Sequence, residues 1–393
     1  MAKFILSPSS NPLPASPASG GGWWGFCFFW DNGLKPHCLF LVFLLLTVIP
    51  GTSAQEDEKP RLLTDSINPE TGVVTVNWVD LQDRTLTPVT TFNATSYCLP
   101  DMITADNTLL YEPALPGQSP YVYKVDLSTG ASLPIAGDQL PLQCPVVSPG
   151  DVSIAWLETV EGGRQVTMTD LEGQNPIPFV THSDIYDVMW SPDGKILIYT
   201  ATDEGDETFN TLYAHSDAQV SFWERDAGLV VDYAWVPDGS ALLVAYYTQD
   251  NAEIGRLSRE CVQLGGCLPD PLAVFGLDAS LILTGAFSPD GSEVLVIEET
   301  SNATGEPRSD MYRIDVDTLN GGGIRFTDSP TLIKTSPIWV DDNTIYFIGS
   351  LFDTGNFTFA RSAIYEIDPE GAEMRIAFEA EGFYPAQIIW WER

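Results

Sequence analysis

Hydrophobic and polar positions along the chain recur in copies of one short pattern. In each copy a strand-like segment ends in an aromatic residue or its equivalent, a polar turn follows, and the next segment is apolar. The clearest copies are MWSPDGKILIYT (189–200), AWVPDGSALLVAYY (234–247), AFSPDGSEVLVIEE (286–299) and IWVDDNTIYFIGS (338–350), and weaker ones are VVSPGDVSIAWLE (146–158) and CLPDMITADNTLLYEP (98–113). The aromatic anchors Trp190, Trp235, Phe287 and Trp339 are 45, 52 and 52 residues apart, which indicates a repeat protein.

The Pro-Asp-Gly centre of the pattern predicts a tight turn. Proline fixes φ, aspartate accepts hydrogen bonds from the following backbone, and glycine supplies a positive φ. We therefore expect structural turns at Asp193 and Gly194, at Asp238 and Gly239, and at Asp290 and Gly291. The recurrence of these aspartates suggests a ring of functional carboxylates, but their place in turns favours the structural role.

The segment after each turn is apolar on both faces, which favours sheets stacked face to face. Between the turns lie further strand–turn–strand runs such as YVYKVDLSTGASLPIA (121–136) and DMYRIDVDTLNGGGIRFT (310–327). Each repeat therefore supplies four antiparallel strands, the content of one propeller blade. The predicted fold class is an all-β propeller of four-stranded antiparallel blades.

The two ends of the repeat region predict how the ring closes. GFYPAQIIWWER (382–393) is typical of an innermost strand, and GVVTVNWVDLQDRTLTPVTTF (72–92) of outer strands without an inner one. If they share one blade, both sheet edges are covered and the ring has seven blades. Six blades is the alternative, because the copy at 98–140 is poorly formed. We assign 72–393 to a single propeller domain and 55–71 to a short linker.

The Trp-Ser-Pro-Asp-Gly pattern followed by Ile-Tyr-x-Ile-Asp resembles the WD40-like (PD40) repeats of TolB and of the propeller domains of prolyl oligopeptidase and dipeptidyl-peptidase IV relatives. The resemblance covers about 98–393 and implies fold rather than activity, since the motif residues form turns and core. It also implies that a peptidase would carry its Ser-Asp-His site on a separate α/β domain. TolB has an additional N-terminal α/β domain, for which 55–71 is too short.

The N-terminal region predicts export. Lys35 and His37 precede an apolar run at Leu39–Ile49, then Pro50 and Gly51, and Thr52-Ser53-Ala54 provides small residues for cleavage. This is the order of a secretory signal, so we expect 1–54 to be a signal peptide with a long N-terminal extension, cleaved after Ala54. The alternatives are a misassigned start codon and an uncleaved membrane anchor at 38–50.

Charge and cysteine content add two constraints. The formal net charge is −36, which repels phosphate backbones and anionic lipid surfaces, so we exclude nucleic acid and expect membrane contact only through an uncleaved N-terminal segment. Four of the six cysteines follow residue 54, an even number that permits disulfides in an exported chain. Cys261 and Cys267 bracket a glycine-containing loop and could pair. Cys98 and Cys144 occupy equivalent repeat positions and could form a second pair or remain free thiols.

Few residues suggest catalysis. After residue 54 only His182 and His215 remain, too few for a histidine metal triad, and the sequence has no nucleophile elbow and no P-loop. The best metal candidate is the acidic loop of Asp203, Glu204, Asp206 and Glu207, whose oxygens suit Ca²⁺. A solvated loop is the alternative, and Asp315 and Asp317 are weaker candidates. Asn93, Asn302 and Asn356 begin glycosylation sequons.

These observations favour an exported, non-catalytic binding module that presents a propeller face to a protein, peptide or cell-envelope partner. No cofactor is expected, apart from the possible Ca²⁺. Loops on a rigid ring commonly carry recognition, and the segments 251–275, 301–309 and 351–361 vary most in length between repeats. The alternative is a Ca²⁺-dependent propeller hydrolase or lyase with acidic residues on its inner strands.

Overall fold

The structure is a computed structural model of the 393-residue chain. It describes residues 59–68, 71–92, 95–96, 100–111, 113–114, 122–136, 142–202, 211–216, 219–223, 229–301, 307–329, 332–353, 358–371 and 373–392.

The described residues form seven four-stranded antiparallel sheets, each a blade of a propeller. Strands are numbered along the chain, and the strands of each blade follow in order from the innermost outwards. Blade 1 contains β30 (Pro385–Glu392), β1 (Arg61–Ile67), β2 (Val74–Asp80) and β3 (Thr85–Phe92), and blade 2 contains β5 (Asp101–Ile103), β6 (Thr108–Tyr111), β8 (Val122–Asp126) and β9 (Ser132–Ala136). Blade 3 contains β10 (Leu142–Val147), β11 (Ile154–Val160), β12 (Gly163–Thr169) and β13 (Ile177–His182), and blade 4 contains β14 (Asp184–Trp190), β15 (Ile196–Thr202), β16 (Thr211–Ser216) and β17 (Gln219–Trp223).

The remaining three blades repeat the same meander. Blade 5 contains β18 (Leu229–Trp235), β19 (Ala241–Tyr247), β20 (Ala252–Ser258) and β21 (Asp270–Phe275), and blade 6 contains β22 (Ser280–Phe287), β23 (Glu293–Ser301), β24 (Pro307–Asp315) and β25 (Ile324–Arg325). Blade 7 contains β26 (Leu332–Asp341), β27 (Thr344–Asp353), β28 (Thr358–Ile367) and β29 (Met374–Phe378). A small ribbon pairs β4 (Thr95–Ser96) with β7 (Pro113–Ala114), one 3-10 turn covers Thr104–Asp106, and one short helix, α1, covers Arg259–Leu264.

The hydrophobic core lies between neighbouring blades. Every residue of β15 is buried, because both faces of this second strand pack against a sheet. One cluster joins Leu157 and Val166 of blade 3 to Leu197 and Tyr199 of blade 4. This arrangement explains why the strand after each turn is apolar without alternation.

The ring closes through blade 1, as the sequence predicts, with three N-terminal strands and one C-terminal strand. Strands β1 and β30 pair antiparallel from Arg61 opposite Glu392 to Ser66 opposite Pro385. Arg61 Nη1 donates to Glu392 Oε1 at 2.7 Å across this junction. Both ends of the repeat region are thereby held in one sheet, and the prediction of seven blades is confirmed.

Two boundaries differ from the sequence analysis. Strand β1 lies inside the segment 55–71, which the sequence analysis assigned to a linker. The strand was not predicted because buried Thr64 and Asp65 interrupt its apolar pattern. The supposed loop 251–275 consists largely of β20, α1 and β21, and the segments 301–309 and 351–361 include strand residues of β23, β24, β27 and β28. Among the described residues no helix is both long and apolar enough to cross a bilayer.

Candidate functional site: the hairpin face

The turns between first and second strands and those between third and fourth strands lie at the same edge of each antiparallel blade. We call the surface that they form the hairpin face. Its inner turns comprise 104–107, 148–153, 191–195, 236–240, 288–292 and 342–343, and its outer connections comprise 81–84, 127–131, 170–176, 259–269, 316–323 and 368–371.

The structure places the three Pro-Asp-Gly segments in the inner turns of blades 4, 5 and 6. The glycine φ angles are +68° at Gly194, +70° at Gly239 and +75° at Gly291. Each glycine N–H donates at 2.8 Å to the carbonyl oxygen three residues earlier. These are tight turns in which a residue with a Cβ is strained.

The aspartates of these turns hold the turn backbone. Asp290 Oδ1 accepts from the Ser288 hydroxyl at 2.7 Å and from the Ser292 N–H at 3.0 Å, which keeps the pKa of Asp290 below its usual range. The Ser240 hydroxyl, and then the Ser240 N–H that donates to Asp238 Oδ1 at 2.8 Å, lower the pKa of Asp238. The carboxylates are therefore both charged at neutral pH and fixed in place.

Neighbouring inner turns pack against one another around the ring. A methyl group added to Gly194, Gly239 or Gly291 would lie 3.7, 3.7 or 3.8 Å from the proline of the preceding blade's turn. Those prolines are Pro149, Pro192 and Pro237 respectively. The proline and glycine of the motif thus make contact between blades as well as shaping a turn.

The outer turns carry a second set of ordered aspartates. Asp126 accepts from the hydroxyl and the N–H of Ser128, and these bonds lower its pKa. Asp170 accepts from the Gln174 N–H at 2.7 Å, and Asp315 accepts from the Asp317 N–H at 2.8 Å. Asp315 therefore lies in a turn of the same kind.

Many basic side chains of the hairpin face connect one blade to the next. Across the blade 2–3, 4–5, 5–6 and 6–7 interfaces these pairs are Lys124–Glu172 (2.8 Å), Arg259–Asp193 (2.8 Å), Arg256–Asp317 (3.6 Å) and Arg313–Glu370 (3.2 Å). These cations are therefore already paired across the interfaces between blades. The excess of carboxylates leaves the face acidic.

A cleft of about 480 Å³ opens on the hairpin face between blades 6 and 7. Its charged lining consists of one guanidinium and five carboxylates, from Arg313 and from Asp290, Glu293, Asp342, Asp368 and Glu370. Its apolar lining includes Pro289, Trp339 and Pro369. The turn of blade 7 departs from the motif here, because Asp342 keeps the motif aspartate but Asn343 replaces the glycine. At this interface no glycine packs against the preceding proline in the manner of blades 4 to 6.

A set of polar residues on the innermost strands was missed by the sequence analysis. Asp232 Oδ1 accepts from the Tyr233 N–H at 2.8 Å, and Asp232 Oδ2 accepts from the Leu283 N–H of the next blade at 2.9 Å. Asp101 accepts in the same way from Met102 at 2.8 Å and from Val147 of the next blade at 2.6 Å. These carboxylates link consecutive inner strands close to the ring axis.

The sequence holds a signal for this position. Asp187 and Asp232 each lie three residues before the aromatic anchor, in the pattern Asp-x-x-Trp, and each follows a β-bulge. Burial raises the pKa of Asp101 and of Asp187 to about 6, and the pKa of Asp65 to about 7. Burial and then the neighbouring Asp187 charge also raise the pKa of Asp232.

The two histidines lie in an aromatic cluster between blades 3 and 4. The ring centroid of His182 is 4.5 Å from that of Tyr213, and His182 Nε2 lies 3.3 Å from the Tyr199 hydroxyl oxygen. The His215 ring lies 4.1 Å from Phe179, and burial lowers the pKa of His215. Both side chains are packed against aromatic rings.

Cys261 and Cys267 form a disulfide that closes the α1 segment. Helix α1 begins after Ser258, whose side chain accepts from the Cys261 N–H. Cys144 is also disulfide-bonded. Its predicted partner Cys98 lies outside the described residues, so the pairing of Cys98 with Cys144 stays a prediction.

The proposed metal loop of Asp203, Glu204, Asp206 and Glu207 lies outside the described residues, and so do the sequon residues Asn93, Asn302 and Asn356. Within the described ranges no group of three or more His, Cys, Asp or Glu side chains is arranged to hold a metal ion. The Ca²⁺ site at 203–207 therefore stays a prediction.

Comparison with known proteins identifies the fold. No family model and no curated protein sequence matches the chain. Among solved structures it is similar to a prolyl endopeptidase, at 12% identity and a TM-score of 0.55 over 81% of this chain and 50% of that one. It is similar to oligogalacturonate lyase from Vibrio parahaemolyticus at 14% identity and a TM-score of 0.53, over 80% and 93% of the two chains.

The chain is also similar to TolB from Acinetobacter baumannii, at 18% identity and a TM-score of 0.46 over 67% of this chain. It spans 65% of the length of that TolB and half the length of the endopeptidase. Likenesses at such low identity establish the fold alone, since one fold hosts many functions. The chain is a seven-bladed β-propeller, and the resemblance to peptidase propellers drawn from its repeats is confirmed at the level of the fold.

Proposed function

We propose that the protein is an exported, non-catalytic binding module that presents its hairpin face to a protein or peptide partner. The observation that carries this proposal is the set of ordered carboxylates on that face. Their geometry is fixed by turn hydrogen bonds before any partner arrives, so little conformational entropy is lost on binding.

The charge distribution supports a basic partner surface. Several cations of the face, such as Lys124 and Arg259, are paired between blades, whereas carboxylates such as Asp342 are exposed. An acidic surface steers a basic partner towards it and speeds association at low ionic strength. The Cys261–Cys267 disulfide supports export, because disulfides persist in oxidising compartments.

Site-specific photo-crosslinking in the source organism tests the proposal. A photoreactive residue is placed at exposed Glu172 or Lys195 on the hairpin face, and at exposed Glu161 or Asp250 on the opposite face as matched controls. We expect discrete adducts from the first two positions only, at a yield that falls as salt is added. Equal yields from both faces, or adducts from Glu161 and Asp250 alone, would overturn the proposal. N-terminal sequencing of the exported form is expected to begin at Gln55.

A further inference from the structure

The connection between β20 and β21 in blade 5 is longer than any other described outer connection of the hairpin face. It spans residues 259–269, contains helix α1 and is closed by the Cys261–Cys267 disulfide. A short turn is sufficient to join two antiparallel strands, as in the other described blades. We call residues 259–269 the disulfide loop, and most of it is not needed to build the blade.

A few residues of the disulfide loop attach it firmly to the ring. Val262 is buried in the core cluster that joins blades 4 and 5, and Cys261 and Cys267 pack partly buried against the same cluster. Arg259 Nη2 donates to Asp193 Oδ2 in the inner turn of blade 4 at 2.8 Å. Because the loop is already fixed on the hairpin face, little conformational entropy is lost when a partner binds to it.

Two leucines of this fixed loop contribute little to the core. Leu264, the last residue of α1, is 61% exposed, and Leu268, which follows the second cysteine of the disulfide, is 71% exposed. A single exposed apolar side chain is ordinary on a protein surface, but several in one place commonly mark an interaction site. The attachment of the loop depends on other residues, so its folding does not explain these two leucines.

A third exposed leucine comes from the neighbouring blade. Leu319 lies in the outer turn of blade 6 and is 50% exposed. The N–H of the next residue, Asn320, donates to the Pro271 carbonyl oxygen at 2.8 Å, which holds this turn against the start of β21. Pro271 is only three residues after Leu268, so the three leucines share one region of the hairpin face. We call Leu264, Leu268 and Leu319 the leucine patch.

The charged residues around the leucine patch give it an acidic rim. Glu260 and Asp270 lie at the two ends of the disulfide loop, and both are exposed. Within the part of the chain that the structure describes, neither carboxylate is paired with a basic side chain. The cations nearby are already in use, since Arg259 is bound to Asp193 and Arg256 lies 3.6 Å from Asp317. The rim therefore complements a surface that carries positive charge.

We propose that the leucine patch binds a segment of the protein partner in which apolar side chains are flanked by lysine or arginine. The inference rests on the proposed function, and it names the part of the hairpin face that is used and the chemistry that it selects. The apolar side chains of the segment remove the leucines from water, and its cations pair with Glu260 and Asp270. An acidic segment is repelled by the rim, and a basic segment without apolar side chains leaves the leucines uncovered.

The test uses three synthetic pentapeptides as probes for the purified protein. The first alternates lysine and leucine, the second has glutamate in place of each lysine, and the third has serine in place of each leucine. The leucine methyl groups of the protein are labelled with carbon-13, and the resonances of Leu264 and Leu268 are those lost in Leu264→Ser and Leu268→Ser. We expect only the first probe to shift these resonances to saturation. The serine probe controls for general attraction of cations to a chain of net charge −36.

Matched variants separate the patch from the rest of the surface. Leu268→Ser is expected to weaken binding of the first probe about fivefold, because part of the apolar contact is lost. Leu277→Ser is the control, since Leu277 is 51% exposed on the opposite face, and it should leave the affinity unchanged. Glu260→Gln is expected to weaken binding about twofold at low salt, whereas Asp250→Asn on the opposite face should not. Unmoved patch resonances, equal shifts with the serine or glutamate probe, or equal weakening by Leu268→Ser and Leu277→Ser would overturn the inference.

Failure of this experiment is distinguishable from failure of the proposed function. The probes report on the leucine patch of blades 5 and 6, whereas the crosslinking positions Glu172 and Lys195 lie in blades 3 and 4. If the first probe does not bind while the adducts persist, the leucine patch is wrong and the hairpin face still binds a partner. If the adducts do not form, the proposed function fails whatever the probes show.

Discussion

At the scale of single residues, the links between blades depend on polar side chains in otherwise apolar strands. Asp232 is 5% exposed, and its two carboxylate oxygens accept backbone N–H groups from two different blades. A backbone donor buried beside the ring axis needs such an acceptor, because leaving it unpaired is costly. The bulge before Asp232 turns the strand so that the carboxylate reaches the next blade.

Replacing this carboxylate should therefore destabilise the whole ring. Asp232→Ala removes both acceptors, and we expect it to lower the free energy of unfolding by about 2–4 kcal/mol. Asp232→Asn retains one acceptor oxygen and should cost about half as much. Urea unfolding at pH 7 measures both effects. Asp328→Ala, at a side chain that is 85% exposed, serves as the control, with an expected change within about 0.5 kcal/mol. A loss no larger for Asp232→Ala than for this control would contradict the role assigned to Asp232.

At the scale of elements, each inner turn needs a glycine with a positive φ and also packs against the turn of the preceding blade. Gly291 has a φ of +75°, and the nearest atoms to an added methyl group are those of Pro237 at 3.8 Å. That distance is an ordinary van der Waals contact, so an alanine at this position would be strained by its backbone conformation rather than by crowding. The conformational cost of a non-glycine residue there is about 1–2 kcal/mol.

We therefore expect Gly291→Ala to lower stability by about 1–2 kcal/mol, and Gly291→Asn to lower it by less, because asparagine tolerates the left-handed region. Thermal unfolding of the two variants beside the unmodified protein checks the order. Gly255→Ala is a useful contrast, since its added methyl group would lie 2.5 Å from Pro269 and crowding would dominate. Equal losses for Gly291→Ala and Gly291→Asn would show that backbone strain is not the cause.

The elements also show what a single sequence can and cannot predict. The turns, the paired strands and the seventh blade follow from local chemistry, because Pro-Asp-Gly and a doubly apolar strand allow few alternatives. Strand β1 was missed because Thr64 and Asp65 are buried polar residues, and because Gln387, whose N–H donates to Asp65, lies far along the chain. The cleft between blades 6 and 7 was missed for a similar reason, since it depends on which blades are neighbours.

At the scale of the whole molecule, the ring gathers carboxylates into two different environments. Those of the turns, such as Asp126 and Asp290, accept hydrogen bonds near solvent, and their pKa values lie below the usual range. Those near the ring axis are desolvated: Asp65 is buried and Asp101 is half-buried, and burial raises their pKa values to about 7 and about 6. The two sets therefore respond to pH in opposite directions.

The inner set is expected to stabilise the folded state most in mild acid. Because the pKa of Asp65 and of Asp101 is raised on folding from 3.8, the folded state binds more protons than the unfolded state between about pH 4 and pH 7. The stability that these groups contribute is complete below pH 3.8 and is lost as the pH rises through 6 to 7. The turn carboxylates act oppositely, since their contribution is lost only as the pH falls below their ordinary value of 3.8. Lys334, whose pKa burial lowers to about 8, adds stability only as the pH rises above that value.

We therefore expect the melting temperature to be higher at pH 4.5 than at pH 7.5 when calorimetry is performed at constant ionic strength. A shift from 3.8 to about 6 at Asp101 corresponds to about 3 kcal/mol between the two limits, of which about 2 kcal/mol falls between pH 4.5 and pH 7.5. Asp101→Asn cannot titrate, so it should reduce the pH dependence over this range by about 2 kcal/mol, whereas Asp328→Asn should leave it intact. A melting temperature that falls steadily from pH 7.5 to pH 4.5 would mean that the inner carboxylates stay ionised in the folded ring. For Asp101, the hydrogen bonds that the Met102 and Val147 N–H groups donate would then lower the pKa more than burial raises it.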